Sequence, residues 1–223
     1  MTAPARERGV AGRLYAAFAF AGPGRFVYDL VTDQPAWRRD CRELGALVPG
    51  PRVLDLGVGT GLSALEMARA TPGRLHVGLD RAAPMLATAR ARSAAAQLLV
   101  ALVRADAAAL PFRTGAFDGA TGHSFLYLVD DPASTLGELV RVLRPGGRVA
   151  FLEPRDGAPS FAPPFRAGLR HGLAMALWRT MSKVHRRYDE RSLPAALEAG
   201  GFRDARAWPV LDGFGVMATA ERP

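Results

Sequence analysis

The sequence of 223 residues is poor in several residue types, and each shortage excludes a class of protein. A single cysteine, Cys41, excludes a disulfide-stabilised scaffold and a zinc site built from several cysteines. No run of 18 apolar residues occurs, so the sequence predicts no membrane-spanning helix. Apolar residues make up 49% of the chain, which is too many for an intrinsically disordered protein. We therefore expect one folded domain in a reducing, cytoplasmic compartment.

The first residues of the chain leave two interpretations open. Three arginines within residues 6–13 precede an apolar stretch at residues 14–21, an order that resembles a short signal peptide. A helix over the same residues, ended by Gly22-Pro23-Gly24, fits the pattern better.

Positive charge is concentrated in two segments. Of the net charge of +8, residues 1–42 contribute +3 and residues 155–191 contribute +5, whereas residues 43–154 are nearly neutral. Such a distribution favours an anionic or lipophilic small molecule, or an anionic membrane surface, as the partner. Nucleic acid is not expected, because the aromatic residues form no stacking platform and no nucleic-acid-binding module occurs.

The middle of the chain alternates short apolar runs with helical patterns, as is typical of a parallel sheet wrapped by helices. Two later strands, at residues 204–210 and 214–220, are joined by three residues, a connection that demands an antiparallel pair. The predicted central strands are residues 52–56, 75–79, 98–103, 117–122 and 148–152, and the predicted helices are residues 61–70, 84–95 and 132–143.

An insertion interrupts this alternation at residues 154–191. Its pattern predicts a basic amphipathic helix that packs one apolar stripe on the sheet, and it leaves open whether the helix covers a ligand or docks on a membrane. The predicted stripe is Phe165, Leu169, Leu173, Leu177, Met181 and Val184, and the basic residues off it are Arg166, Arg170, Arg179, Lys183 and Arg187.

The strongest local signal is the glycine-rich turn Gly57–Gly61, which follows a predicted buried strand. Such a turn lets a ligand approach the backbone, and the next helix directs its amide N–H groups at that ligand. The spacing is not that of dinucleotide-binding folds, because Leu62 stands where they need a third small residue. The lysine of a phosphate-binding loop is also absent. A tight structural turn without a ligand is the remaining alternative.

The segment Val53-Leu54-Asp55-Leu56-Gly57-Val58-Gly59-Thr60-Gly61 resembles the first motif of the class I S-adenosylmethionine-dependent methyltransferases. The order and spacing of the later blocks resemble that family over residues 52–153, and most closely its ubiquinone/menaquinone C-methyltransferase branch. Those blocks are Gly78-Leu79-Asp80, Ala105-Asp106-Ala107 with Leu110-Pro111-Phe112, Phe117-Asp118-Gly119 and Val142-Leu143-Arg144-Pro145-Gly146-Gly147.

The resemblance implies an α/β, Rossmann-like, doubly wound sheet of seven strands, mostly parallel with an antiparallel C-terminal strand. It divides the chain into a helical N-terminal cap at residues 1–42, a cofactor-binding core at 43–153, a helical lid insertion at 154–191 and a C-terminal helix and strand pair at 192–223. The insertion departs from the quinone branch, which leaves the acceptor open.

The resemblance also implies S-adenosylmethionine as methyl donor and S-adenosylhomocysteine as product. Asp55 would meet the methionine ammonium, Asp80 the ribose hydroxyls, and Asp106 with the Ala107 amide the adenine. The alternatives are that Asp80 caps a helix and that Asp106 merely ends a strand. The full set of expected cofactor contacts is Tyr28, Asp55, Gly57, Gly59, Gly61, Asp80, Arg81, Met85, Asp106, Ala107 and His123.

His123 ends the fourth predicted strand, where such sheets bind ligands, and it is the candidate general base or positioning residue. No metal is expected, since Asp130-Asp131-Pro132 fits the start of a helix better than a metal pair. Candidate acceptor contacts, each with packing or plain surface exposure as its alternative, are Tyr28, Tyr127, Glu153, Arg155, Arg170 and His185.

Three functions follow from these expectations. The first is in-line transfer of a methyl group to an oxygen, nitrogen or carbon atom of a small anionic or lipophilic acceptor. The second is a methyltransferase for phospholipids or quinones at the inner face of the membrane. The third is a protein that binds S-adenosylmethionine without catalysis.

Overall fold

Seven strands form one sheet in the computed structural model, which describes residues 33–157, 168–183 and 185–223. The order across the sheet is β3-β2-β1-β4-β5-β7-β6. Strand β7 is antiparallel to both of its neighbours, and the other pairs are parallel, which confirms the predicted fold. The strands are β1 (Arg52–Leu56), β2 (Leu75–Asp80), β3 (Val100–Arg104), β4 (Phe117–His123), β5 (Leu143–Pro154), β6 (Arg203–Val210) and β7 (Gly215–Glu221).

The chain order reverses between β1 and β4, because the connections run outward from β1 to β2 and β3 and then return to β4. The carboxyl ends of strands at such a point leave a crevice in which α/β sheets bind their ligands. The helices around the sheet are α1 (Pro35–Ala46), α2 (Leu62–Ala70), α3 (Ala83–Ala95), α4 (Pro132–Val142), α5 (Leu169–Ser182) and α6 (Ser192–Ala199).

Helix α1 and strand β5 depart from the predicted organisation of the chain. Helix α1 continues through the predicted division between residues 42 and 43, because its Cys41 and Leu44 are fully buried with the sheet. Strand β5 begins at Leu143 rather than at residue 148, and the predicted turn at residues 145–147 is an irregularity within that strand. Gly146 adopts a left-handed conformation there, with φ +71°, and donates its N–H to the carbonyl oxygen of Arg222.

Helix α5 corrects the predicted apolar stripe. Its buried side is formed by Ala174, Met175 and Trp178, whereas Leu169 and Leu173 are 68% and 55% exposed. The helix carries apolar residues on more than one side, and the side with Ala174, Met175 and Trp178 shares a core cluster with residues of α1, β5 and β7. Spacing alone does not distinguish two such sides, and the predicted stripe was wrong for Leu169 and Leu173.

Several predicted features lie outside the described residues. They include Tyr28, the apolar stretch at residues 14–21, and Phe165, Arg166 and Val184 of the insertion. Within the described part of the chain, no helix has the length and apolar character needed to span a membrane.

Candidate functional site

A cavity of about 450 Å³ opens where β1, β2 and β4 end and the chain order reverses. This volume falls within the range of small-molecule sites, roughly 300–1,000 Å³. Its wall combines the glycine turn after β1, the residues that follow β2 and β3, and the segment between β4 and α4. One residue, Trp37, comes from α1.

The glycine turn forms the floor of the cavity. Gly57 has φ +62°, and a β-carbon on it would lie 2.4 Å from Cδ2 of Phe125, so only glycine fits beneath that ring. Gly61 has φ +85° and immediately precedes α2, whose first N–H groups are thereby directed at the cavity. Phe125 also lines the cavity, and no motif in the sequence had identified it.

Asp80 lies at the end of β2 in the cavity wall. Its Oδ2 accepts the Gly59 N–H at 2.9 Å, and its Oδ1 accepts the Ala82 N–H at 2.8 Å. Burial raises the pKa of this carboxyl, and the backbone N–H groups oppose the rise. Each oxygen retains a lone pair for a ligand hydroxyl. Asp80 makes no cap for α3, whose N-cap residue is Ala82.

The part of the cavity wall that follows β3 is more exposed to solvent. Asp106 is exposed, its Oδ1 accepts the Ala108 N–H at 3.0 Å, and its Oδ2 lies 3.7 Å from Nε of Arg81. Ala107 and Met85 are buried beside them, and all four of these predicted residues line the cavity. One carboxylate beside the apolar side chains of Ala107 and Met85 suits a flat heterocycle with an exocyclic amine.

Asp55 does not line the cavity itself, and the resemblance had implied an interaction with the methionine ammonium that in this family often passes through water. It is 1% exposed, and its carboxylate accepts the hydroxyl of Thr121 at 2.8 Å and that of Ser63 at 3.0 Å. Burial raises its pKa to about 7, and the charge of Asp80 adds to the rise. Ser63 itself lines the cavity, so Asp55 faces a ligand through this hydroxyl. Sequence reasoning had missed Ser63.

His123 and Trp37 form an aromatic wall of the cavity. Their ring centroids are 4.9 Å apart, and Trp37 contacts Trp178 of α5 at the same centroid distance. Burial lowers the pKa of His123 to about 4, so its imidazole is neutral at physiological pH. Its Nε2 is buried with no hydrogen-bond partner among the described residues.

An ion cluster fixes the helix that carries Trp37. The buried carboxylate of Glu66 on α2 accepts hydrogen bonds from Arg38 at 3.0 Å and Arg42 at 2.5 Å, both on α1. Arg69 of α2 completes the cluster at 2.6 Å. Neither Trp37 nor this cluster belongs to a recognisable motif, so the sequence offered no signal for this wall.

The predicted acceptor residues that the structure describes do not line the cavity. Tyr127 is 5% exposed and meets His185 edge to face, with their ring centroids 5.6 Å apart. Arg155 forms an ion pair with Glu190 at 2.7 Å. Arg170 donates a hydrogen bond to the carbonyl oxygen of Asp33, and Glu153 is fully buried behind the cavity wall.

The described lining of the cavity is acidic. Among the residues that the structure describes, four carboxylates and the guanidinium of Arg81 line it, and none of the basic residues of α5 does. Asp131 has the predicted role at the start of α4, where its carboxylate accepts the Ser134 N–H at 3.1 Å. The lining carboxylates are Asp80, Asp106, Asp130 and Asp131.

Residues 54–151 match the family model of the methyltransferase domain. The chain is 40% identical over 175 residues to a demethylmenaquinone methyltransferase of Thermus thermophilus, a match that covers 78% of this chain and 71% of the relative. The chain belongs to the class I S-adenosylmethionine-dependent methyltransferases, in their quinone methyltransferase branch. A demethylmenaquinone methyltransferase of Mycolicibacterium gilvum is 34% identical to this methyltransferase over 200 residues, covering 84% of this chain and 83% of the relative.

Solved structures agree with the fold of this methyltransferase. An S-adenosylmethionine-dependent methyltransferase from Thermotoga maritima superposes with a TM-score of 0.69 at 18% identity, covering 94% of this chain and all of the other. The chain is thus an enzyme of this family with S-adenosylmethionine as its cofactor. The expectation of a binding protein without catalysis is superseded by this assignment.

The cavity residues fit that cofactor. The left-handed glycine turn leaves room above the backbone, and Asp80 has free acceptor positions for a ribose diol. Asp106 and Ala107 stand where adenine would be held, and Ser63 with Asp55 behind it offers a negative site for the methionine ammonium.

Proposed function

We propose that this methyltransferase transfers the methyl group to a lipophilic planar ring that carries a hydroxyl group, of the quinol type. The aromatic wall of Trp37 and His123 carries this proposal. His123 is the last residue of β4 and Asp80 is the last residue of β2, and β1 lies between these two strands. Two strand spacings separate these ends by roughly 10 Å. The wall therefore stands beyond the ribose position, where an acceptor would lie.

The residues around this wall support a flat apolar acceptor. Leu62, Leu128 and Val129 line the cavity together with Trp37 and Phe125. Aromatic faces favour offset stacking or edge contacts with another ring, worth about 0.5–1.5 kcal/mol beyond burial. The buried Nε2 of His123 would accept a hydroxyl hydrogen bond, and a buried polar atom normally has such a partner. The two relatives are named as demethylmenaquinone methyltransferases, which supports the same class of acceptor.

The bound cofactor supplies an electrophilic methyl group on a sulfonium. In this proposal the protein aligns the acceptor and excludes water, effects that together account for up to ~7–11 kcal/mol of a barrier in favourable systems. His123 is proposed as a positioning residue rather than a general base, since a pKa of about 4 makes its imidazole a weak base.

An acceptor panel with product mass spectrometry tests this proposal. Reduced naphthoquinol with a short prenyl chain, a simple phenol, a primary amine and a phospholipid are each incubated with protein and S-adenosylmethionine. We expect one added methyl group on the naphthoquinol and S-adenosylhomocysteine in equal amount. Methylation of the amine or the phospholipid alone would contradict the proposed acceptor class.

An exposed surface of α5 favours a second proposal, that the enzyme acts at a membrane. Leu169 and Leu173 lie one turn apart on α5 and are both exposed, with exposed Arg170 between them and exposed Lys183 just beyond the helix. An apolar pair next to basic residues is suited to an anionic membrane surface, where each basic residue contributes ~1 kcal/mol. We propose that this surface docks the enzyme on the membrane that dissolves its acceptor.

Co-sedimentation with phosphatidylglycerol vesicles tests the docking. We expect binding at low ionic strength that weakens with salt and is lost in the Leu169→Ser/Leu173→Ser double variant. Leu99→Ser is the matched control, since Leu99 is 82% exposed beside the edge strand β3 and does not belong to α5. Failure of the wild type to sediment at low ionic strength would reject the docking.

A further inference from the structure

Glu153 ends β5 as a fully buried carboxylate, and the cofactor cavity is not lined by it. Three successive backbone N–H groups converge on it. Its Oε1 accepts those of Phe125 at 3.2 Å and Leu126 at 2.7 Å, and its Oε2 accepts that of Tyr127 at 3.2 Å. No lysine or arginine forms an ion pair with it in the described part of the chain.

The three N–H groups belong to the segment that closes the cavity after β4. This segment begins with Ser124, whose φ of +53° places a non-glycine residue in the left-handed region. The Ser124 N–H is bonded to the carbonyl oxygen of Leu152, and a short 3₁₀ turn follows at Leu126–Leu128. Such a strained turn persists only where its surroundings hold it.

The position of Phe125 depends on this turn. Its ring lies over Gly57 and lines the cavity, as do Ser124 and Leu128. A carboxylate that accepts three amide N–H groups thus connects the end of β5 to the floor of the cofactor site. A charged acceptor makes hydrogen bonds about twice as strong as a neutral one.

We propose that Glu153 is a positioning residue, whose ionised carboxylate holds the Ser124–Leu128 segment in the shape that binds S-adenosylmethionine. The proposal rests on the cofactor assignment of this family and not on the proposed acceptor.

The protonation state of Glu153 connects this geometry to pH. Burial raises its pKa to about 8, against the opposing effect of its three N–H donors. The titratable group that faces it from the segment before α6 is the phenol of Tyr188, whose pKa is raised by burial, lowered in part by a hydrogen bond with Arg186, and raised by the charge of Glu153. Between pH 7.5 and 9.5, Tyr188 stays protonated and Asp55, with a pKa of about 7, is mostly ionised. The ammonium group of S-adenosylhomocysteine also loses its proton toward pH 9.5, so the tightening between pH 7.5 and 8.5, compared between the wild type and Glu153→Gln, is the quantity that reports on Glu153.

Calorimetric titration with S-adenosylhomocysteine at pH 7.5, 8.5 and 9.5 tests the proposal. We expect the wild type to bind more tightly as the pH rises through 8. Glu153→Gln keeps the volume but turns an amide donor toward a backbone N–H, so its Kd should be ten-fold or more weaker at pH 8.5 and should not tighten between pH 7.5 and 8.5. Glu153→Asp keeps the charge on a shorter side chain, and should bind with intermediate affinity and retain the pH dependence.

Asp189→Asn is the matched control. The Asp189 carboxylate accepts the N–H groups of Arg191 and Ser192 at the start of α6, away from the cavity. We expect this variant to lose thermal stability and to keep the affinity and pH profile of the wild type.

Two results would overturn the proposal, and a third would contradict the cofactor assignment. Glu153→Gln with an affinity within two-fold of the wild type and the same pH profile would overturn the proposal. If that variant does not fold, a wild-type affinity that does not increase between pH 7.5 and 8.5 would overturn it equally. A wild type that gives no heat with S-adenosylhomocysteine at any pH would instead contradict the cofactor assignment.

Discussion

Phe125 occupies the space that a side chain on Gly57 would need, and its Cδ2 would lie 2.4 Å from a β-carbon there. The ring and the glycine come from loops after different strands, β4 and β1, that are adjacent in the sheet. The shape of the cofactor floor is therefore set by two residues almost seventy positions apart in the sequence.

Gly57→Ala tests this contact. The β-carbon displaces Phe125, so we expect the Kd for S-adenosylhomocysteine to weaken at least ten-fold by calorimetry. Gly73→Ala is the control, because Gly73 has φ +88° but no atom within 4 Å of its added β-carbon. It should cost about 1 kcal/mol of stability from backbone strain and leave affinity unchanged. Restored binding in Gly57→Ala/Phe125→Ala would identify the clash as the cause, and unchanged weakness would point to backbone strain.

Asp55→Asn should stabilise the protein while weakening cofactor binding. The pKa of Asp55 is raised by burial from 3.8 to about 7, so its ionisation opposes folding as the pH rises through that range. The hydroxyls of Ser63 and Thr121 can donate or accept, and so can bond an amide as well as a carboxylate. At pH 8.5 we expect a higher Tm, by roughly 2–4 °C for each kcal/mol gained.

The loss of negative charge should at the same time weaken S-adenosylmethionine binding in Asp55→Asn. A variant that is less stable than the wild type at pH 8.5, or that binds the cofactor with unchanged affinity, would contradict this role of Asp55.

Asp80→Ala should weaken cofactor binding more than Asp106→Ala. The first substitution removes the acceptors for a ribose diol and leaves the Gly59 and Ala82 N–H groups without their carboxylate. Hydrogen bonds to a charged group contribute about 1.5–3 kcal/mol each, so ten-fold or more is expected in Kd. Asp106 is exposed, which predicts a smaller loss. Equal losses in the two variants would contradict this ranking.

Trp37→Phe should raise the KM for the acceptor and leave the Kd for S-adenosylmethionine within two-fold. The smaller ring keeps the helix packed but removes part of the aromatic wall beside His123. Trp208→Phe is the control, since Trp208 lies on β6 and does not line the cavity. Steady-state kinetics with the best acceptor of the panel and calorimetry with the cofactor check both quantities. A parallel loss in both would place Trp37 in the cofactor site instead.

His123→Ala should reduce turnover far more than cofactor affinity. The pKa of His123 is lowered by burial from 6.5 to about 4, so its neutral form favours folding above pH 6.5 and this contribution is lost as the pH falls toward 4. The buried His76 has the same shift and should contribute in the same direction. In His123→Phe we expect a smaller fall in Tm between pH 7 and 4.5 than in the wild type. Equal losses of turnover and affinity in His123→Ala would demote His123 to a structural role.

Much of the fold was predictable from the sequence, because its signals are local. The strands β1, β2 and β4, the capped start of α4 at Asp131 and the antiparallel pair of β6 and β7 follow from apolar runs, turn residues and short connections. The glycine turn and Asp80 could also be placed from their motifs, since each sits directly after a strand. Their roles toward the cofactor came from resemblance and stay predictions for the individual residues.

Only the tertiary structure decided which residues outside the motifs line the cavity. Trp37, Ser63 and Phe125 carry no motif, and they line the same cavity as His123 because α1, the start of α2 and the end of β4 converge. The same holds for α5, on which Met175 and Trp178 are buried whereas Leu169 and Leu173 are exposed. The periodicity of apolar residues shows which sides of an element could be buried. The surface that covers one of those sides is supplied by residues far away in the sequence.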